Sequence, residues 1–362
     1  MKVPFFNLYN INSLIKKDVL EAVSKIIDDS SFVDGNFVKK FEEEFAEFCG
    51  AKYCIAVNNG TSALHLATKV SFRSSIKNAA TPPNSFFATS ESLEYSGFNP
   101  FFVDVDENFN INIADLYSLQ NYYGNILPVS LYGNPCNLSA IKDISDTYNK
   151  GFVHDACQAH GAYHKNNPIC DYAELTCFSF YPSKNLGTFG EGGAIVTNNK
   201  YYYETIMQLK NHGQQIRYKH NNIGYNYRLN EIQAAVLSIK LKYLDEWTDE
   251  RINIAKRYDN NLKSSKVKVL KINSDDKCVY HLYPIFTEYK QKLLDLFDKN
   301  NIGYGFHYPI PIYDQLPYSS LNLDHAKFKY TEISKNQQIS LPIYIGMSNQ
   351  EIDYVCEIIN QL

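Results

Sequence analysis

Between residues 152 and 193 the chain reads FVHDACQAHGAYHKNNPICDYAELTCFSFYPSKNLGTFGEGG, a stretch that gathers Asp155, Ser179 and Lys184. A lysine that forms Schiff bases must be neutral part of the time, so its pKa has to fall from about 10.4 through desolvation or nearby positive charge. The aromatic and glycine neighbours of Lys184 allow that. An acid at a strand end, here Asp155, can keep a pyridine nitrogen protonated and make the ring an electron sink, as pyridoxal-phosphate chemistry requires. A third element, NNGTSALHLA at 58–67, runs from a strand through Gly60, Thr61 and Ser62 into a helix. Amides and hydroxyls at a helix N-terminus favour a phosphate dianion, and a glycine there permits close backbone approach. The stretch lacks the Lys-Ser/Thr of a P-loop and the G-x-G-x-x-G of a dinucleotide fold, which disfavours nucleoside triphosphates and NAD.

Each residue alone has a plainer reading. Most lysines are solvated surface charges, most strand-end aspartates cap a turn or helix, and Thr or Ser before a helix is usually an N-cap. Their joint occurrence carries the inference. His154, Cys157, His160 and His164 lie close together, but they lack the paired spacing of zinc modules, and His154 should face away from Asp155 across the strand. No metal site is expected, and His160-Gly161 is read as a turn.

The elements that must position these groups follow from periodicity. Apolar, β-branched or aromatic runs at Tyr53–Val57, Pro100–Val105, Ile126–Ser130, Phe152–Asp155, Thr176–Ser179 and Ala194–Thr197 predict strands. Amphipathic stretches such as Ser62–Val70 and Leu138–Tyr148 predict helices between several of them. The alternation implies an α/β class with a mainly parallel sheet, whose ligands gather beyond the carboxyl ends of its strands. Ile232, Val236, Ile239, Tyr243 and Trp247 share one face of a predicted long connecting helix with Asn230 as its N-cap. Beyond Asp249 come a charged helix (Asp249–Leu262), strands at Val267–Lys271 and Val279–Phe286, a helix at Lys290–Lys299 and a Tyr/Pro-rich stretch, Gly303–Pro317. The chain is therefore divided into a large domain at 1–248, with an N-terminal arm, and a smaller C-terminal α+β domain at 249–362.

Composition excludes several other classes. The 362 residues are 44% hydrophobic and 20% charged, with 35 basic and 39 acidic side chains and no long basic run, so nucleic acid is not an expected partner. No stretch approaches a membrane span, and the N-terminus lacks a signal peptide's apolar core. Eight scattered cysteines without a C-x-x-C pair argue against disulfides or structural zinc and fit a reducing cytoplasm.

Seven motifs in order extend the inference: GTSALHLA (60–67), PNSFFAT (83–89), PVSLYG (128–133), HDACQAHG (154–161), SFYPSKNL (179–186), GEGGA (190–194) and GYNYRLNEIQAA (224–235). With Arg251, Ala255, Tyr258, HYPIP (307–311) and SLPI (340–343), they closely resemble the sugar aminotransferases of the DegT/StrS family over nearly the whole chain. The resemblance implies the pyridoxal-phosphate fold type I, the aspartate-aminotransferase-like large domain. It makes Lys184 the Schiff-base lysine, Asp155 the partner of the pyridine nitrogen, Gln158 a neighbour of the ring hydroxyl and Phe86 a residue stacked on the ring. Gly60, Thr61, Ser62 and Ser179 match phosphate-binding positions. Asn226 matches an asparagine that reaches the phosphate from a neighbouring subunit, implying a homodimer with shared active sites. Arg228, His307 and Tyr308 match the region that meets the sugar nucleotide.

By that resemblance L-glutamate gives its amino group to a keto-deoxysugar linked to a nucleotide, for amino-sugar and surface-polysaccharide synthesis. The dehydratase branch of the family has histidine where this chain has Lys184, and a non-catalytic sensor would bind ligand without transferring an amine. Two departures from the family pattern stand out: Ser130 where many members have histidine, and Ser71–Ala80 without the usual G-x-G-D-E-V approach to the next strand.

Overall fold

A computed structural model of the chain describes residues 1–72 and 75–362. Residues 73 and 74, within the divergent stretch Ser71–Ala80, lie outside the described residues. The centre is a seven-stranded sheet of β1 (Tyr53–Val57), β2 (Asn78–Thr81), β3 (Asn99–Phe102), β4 (Asn125–Ile126), β5 (Gly151–Asp155), β6 (Leu175–Ser179) and β7 (Gly193–Thr197). Their order across the sheet is β1-β7-β6-β5-β4-β2-β3. β7 is antiparallel to both neighbours and the remaining pairs are parallel, so only β7 runs against the others.

Both faces of the sheet are covered, which is why its strands appear as unbroken apolar runs. Ile55, Val57, Val153, Cys177 and Ile195 pack with Ala63, Leu64, Leu66 and Ala67 of the helix Gly60–Ser71. Cys54, Ala56, Phe152, Phe178, Ala194 and Val196 face the other way, against Val38, Phe41 and Phe45 of the helix Asn36–Phe48 and Leu237 of the helix Glu231–Leu241. The two-residue period of a strand thus puts Asp155 on the side of the Gly60 helix and His154 on the opposite side.

Several boundaries differ from the sequence-based expectation. β2 joins the sheet although its four residues, NAAT, carry no β-branched run. The Pro100–Val105 run is paired only to Phe102. The Ile126–Ser130 run is paired only at its start, with an isolated bridge from Val129 to Asp155 beyond it. In the small sheet the strands contract to Lys268–Val269 and Tyr283–Phe286, and a third, Gln338–Leu341, completes it. The long connecting helix is broken: Glu231–Leu241 ends in a tight turn closed by Tyr243 N–H to Lys240 O, and Leu244–Asn261 begins anew. Asp245 and Glu246 in that first turn complement the new helix dipole. Asn230 occupies the N-cap position, but its side chain makes no capping bond.

The helix Leu244–Asn261 runs across the 248/249 division. From its later half onward, residues pack into a separate core of Tyr258, Tyr283, Ile285, Phe297, Ile339 and Val355, joined by Val3 from the N-terminal arm. Val3 bridges to Ile302, which holds the arm against this C-terminal unit. All eight cysteines are free. No helix among the described residues is long and apolar enough to cross a membrane.

Candidate active site

β1, β5 and β6 all point their carboxyl ends to one edge of the sheet. β1 runs through Asn58 and Asn59 into the helix Gly60–Ser71, and Asn59 caps that helix by accepting the Ser62 amide (2.8 Å). Because Asn59 does the capping, Thr61 and Ser62 are not needed for it. As the first two residues of the helix, Gly60 and Thr61 have amides without an intrahelical acceptor. Ser179, at the end of β6, stands against them: a Cβ on Gly60 would lie 2.7 Å from the Ser179 Cβ and 3.1 Å from its Oγ. Gly193 sits between Val57 and Ser179 in the sheet, and a Cβ there would come within 2.4 Å of the Asn59 carbonyl. Two glycines therefore let a helix N-terminus and a serine hydroxyl close around one point, a cradle suited to a phosphate.

Asp155 ends β5, next to β6, and is 4% exposed. Its Oδ2 accepts the Thr89 hydroxyl (3.0 Å) and its Oδ1 accepts the Cys157 amide (3.1 Å). Burial raises its pKa, partly opposed by the bonds from Cys157 and Thr89 and by the charge of Lys184. A buried carboxylate held on two donors, with no contacting cation among the described residues, suits a protonated heterocyclic nitrogen. Lys184 lies on the turn after β6, half-buried, its amide bonded to Tyr181 O (2.8 Å). Burial lowers its pKa while Cys157 and Asp155 pull it back up, so the amine is more readily neutral than a surface lysine. The residues present thus fit pyridoxal phosphate at both ends: cradle for phosphate, Asp155 for the ring nitrogen, Lys184 for the aldehyde.

A hydrogen-bonded frame closes the side of this cleft. Gln158 Oε1 accepts the Tyr132 amide (2.7 Å) and its Nε2 donates to the Tyr308 hydroxyl (3.1 Å). Tyr132, buried at a positive φ of 62°, donates its hydroxyl to His307 O (2.8 Å). The Phe86 ring, 58% exposed, lies 5.7 Å from that of Tyr308. Burial pushes the His307 imidazole down to about 4, with Lys184 adding to the shift, so it is neutral at ordinary pH. Lys184, Asp155, Gln158, Ser179, the Gly60–Ser62 turn, His307 and Tyr308 are accordingly brought to one edge of the fold.

Asn226 and Arg228 are not hydrogen-bonded to that frame among the described residues. Arg228 pairs with Val57 beside the cradle, and its guanidinium bonds Asn211 Oδ1 (3.0 Å) and Asn226 Oδ1 (2.7 Å). Asn226 is exposed and makes no bond to the cradle among the described residues. The His/Cys quartet is dispersed: His154 Nε2 meets Ser130 Oγ (2.8 Å), His160 Nε2 meets Ser179 O (2.9 Å) and His164 Nδ1 meets Asp276 (2.8 Å). Ser130, the departure from the family pattern, therefore serves the far face of β5 as the partner of His154. Sequence reasoning did not single out Thr89, Tyr132 or Asn59. Asn59 was recoverable as an Asn preceding a helix, whereas nothing local marks Thr89 or Tyr132 as partners of Asp155 and Gln158.

The sequence pattern of the DegT/DnrJ/EryC1/StrS aminotransferase family matches residues 13–360. The dTDP-3-amino-3,6-dideoxy-alpha-D-galactopyranose transaminase of Aneurinibacillus thermoaerophilus is 33% identical over 361 residues, covering 99% of each chain. DesV of S. venezuelae, solved in complex with a ketimine intermediate, superposes with a TM-score of 0.94 at 29% identity, covering 99% of this chain and 98% of its own. NtdA of Bacillus subtilis, solved with bound cofactor PMP, superposes with a TM-score of 0.91 at 27% identity, covering 99% of this chain and 85% of its own.

Proposed function

Given that this chain belongs to the DegT/DnrJ/EryC1/StrS aminotransferase family, we propose that it transfers an amino group from L-glutamate to the C3 or C4 keto group of a nucleotide-linked deoxysugar. It is a pyridoxal-phosphate-dependent nucleotide-sugar aminotransferase, of the class to which its relatives' names assign them. The observation that supports the reading most directly is the joint placement of Lys184, Asp155 and the Gly60–Ser179 cradle beyond neighbouring strand ends.

In this reading Gly60, Thr61, Ser62 and Ser179 hold the phosphate, Asp155 keeps the ring nitrogen protonated, Gln158 meets the ring hydroxyl and Phe86 covers the ring. When bound, pyridoxal phosphate supplies the electron sink and carries the amino group between the two substrates. Lys184, as a free amine, would take the proton from the donor's α-carbon and then, as its ammonium, give one back, acting in turn as base and acid. Burial lowers its pKa, which favours the neutral amine that the base role needs. Arg228, His307 and Tyr308 meet the sugar nucleotide. Asn226 reaches the phosphate of a neighbouring copy, so the working unit is a homodimer in the cytoplasm. The large unit at 1–248 holds the cofactor, and 249–362 closes over it.

The test is the absorbance of the purified protein loaded with pyridoxal phosphate, before and after L-glutamate, beside Lys184→Ala. A long-wavelength band that glutamate bleaches, absent from the variant, is expected. Adding 3-keto and 4-keto nucleotide sugars to the bleached enzyme should restore the band with one of them. A protein that takes up no chromophore, or a band that glutamate leaves unchanged, refutes the assignment.

A further inference from the structure

Beside Lys184 lies a cavity of about 260 Å³, bounded by Tyr181 and Ser183 from the lysine turn, Phe5 and Phe6 from the N-terminal arm, and Ile343 and Ile345. Its polar wall is made by Arg251, His281 and His307, and no acidic side chain lines it. Arg251 is 7% exposed. Its Nη1 donates to Tyr280 O (3.2 Å) and Ile343 O (3.3 Å), both neutral carbonyls, and no carboxylate lies within ion-pair distance of it among the described residues. Its Nε and Nη2 have no hydrogen-bond partner among the described residues.

Burial lowers the pKa of this guanidinium to about 10, with the charge of Glu250 opposing the shift only in part, and no carboxylate is bonded to it among the described residues. His281 adds no charge to the site. Asn185 donates to Val279 O through Nδ2, so its Oδ1 accepts from the His281 ring (3.2 Å). Burial first, then the charges of Lys184 and Arg251, act against protonating that ring. The cavity is thus cationic through Arg251 alone, small, and walled by apolar groups on its other sides.

We infer that this cavity seats a carboxylate of the amino donor, with Arg251 as its cationic partner. Arginine's planar fork matches a carboxylate, and the three N–H groups on Nε and Nη2, left over by the carbonyl bonds of Nη1, are available to it. The volume is below the usual range for drug-sized ligands and suits an amino acid rather than a nucleotide sugar. A diphosphate is the other anion in the reaction. It carries a bulky group at each end and would need a longer groove than a cavity of this size bounded by Phe5 and Phe6. The inference rests on the aminotransferase reading and assigns that reaction a specificity residue in the donor half.

The experiment uses the loaded enzyme and follows each half-reaction separately. Arg251→Lys keeps a cation able to meet the two carbonyls but loses the fork. It should raise the half-saturating L-glutamate concentration about 10- to 100-fold and leave that for the nucleotide sugar within about 2-fold. A merely structural arginine would weaken both alike, and that result overturns the inference. Should the variant not fold, the wild-type enzyme decides: glutarate should compete with L-glutamate, and a crystal soaked in glutarate should show a carboxylate on the Arg251 guanidinium. Glutarate bound elsewhere, or pyrophosphate on Arg251 in a parallel soak, overturns the assignment. Wild-type enzyme that does not respond to L-glutamate at all refutes the aminotransferase reading as well, whereas a normal wild-type response with an unaltered variant refutes only the role of Arg251.

Discussion

Replacing Asp155 by asparagine separates the electrostatic role of this residue from its structural one. Asp155 accepts the Thr89 hydroxyl at 3.0 Å and the Cys157 amide at 3.1 Å, and Thr89 is itself 2.8 Å from the Ser85 hydroxyl. An asparagine can accept from Cys157 through its oxygen and donate to Thr89 through its amide, with Thr89 turning its proton to Ser85. Both contacts survive, and the buried carboxylate, whose pKa is raised by desolvation, is gone. Stability should therefore change by no more than about 1 kcal/mol in either direction. Function should not be spared. An opposite charge in close contact shifts a pKa by about 1–3 units. At about 1.4 kcal/mol per unit, loss of the carboxylate should slow the glutamate half-reaction about 10- to 1,000-fold. Single-turnover absorbance measures the rate, and urea unfolding of the cofactor-free proteins measures stability. A variant that unfolds like the wild type and reacts within about 3-fold of its rate would refute the proposed pairing of Asp155 with the ring nitrogen.

Gly60→Ala should place a methyl 2.7 Å from the Ser179 Cβ and 3.3 Å from its Cα, forcing the cradle open. Overpacking of about 1–3 kcal/mol should weaken pyridoxal-phosphate binding about 5- to 150-fold in a fluorescence titration, and unchanged affinity would remove Gly60 from the phosphate site. Burial holds His154 and His160 down to about 3, while the unfolded rings titrate near 6.5, so the unfolded state binds the extra protons. Their contribution is complete above pH 6.5 and is lost as pH falls towards 3, by up to about 1.4 kcal/mol per pH unit for each ring. His154→Gln should make the decline in unfolding free energy between pH 6 and 4 shallower by about that amount, and an unaltered slope would show that this ring titrates normally in the fold.

The groups to which the chemistry is assigned by proposal were legible in the sequence because each belongs to a short local pattern. Lys184, Ser179 and Asp155 lie at the ends of apolar runs, and Gly60 lies where a strand gives way to a helical period. A strand buried on both faces must be apolar throughout, and a helix must begin where the chain can free its first amides, so these positions follow from neighbouring residues. The expected order of strand and helix, and the edge of the sheet at which to look, came from the same local rules. β2 was missed because NAAT is apolar enough for the interior without being β-branched, and only its parallel neighbours β3 and β4 make it a strand. The break after Leu241 was missed because the apolar face continues from Ile232 to Trp247 through the turn.

The frame around the site belongs to tertiary structure. Thr89 reaches Asp155 across 66 positions, Gln158 reaches Tyr308 across 150, and Glu231 accepts the amides of Gly35, Phe37 and Val38 across nearly 200. Arg251 acquires a cavity only because the N-terminal arm, the lysine turn and the C-terminal unit meet around it. Periodicity and capping are set within a few residues of the chain. Which distant donor meets which acceptor depends on strand order and on how the two cores pack, which are properties of the whole fold.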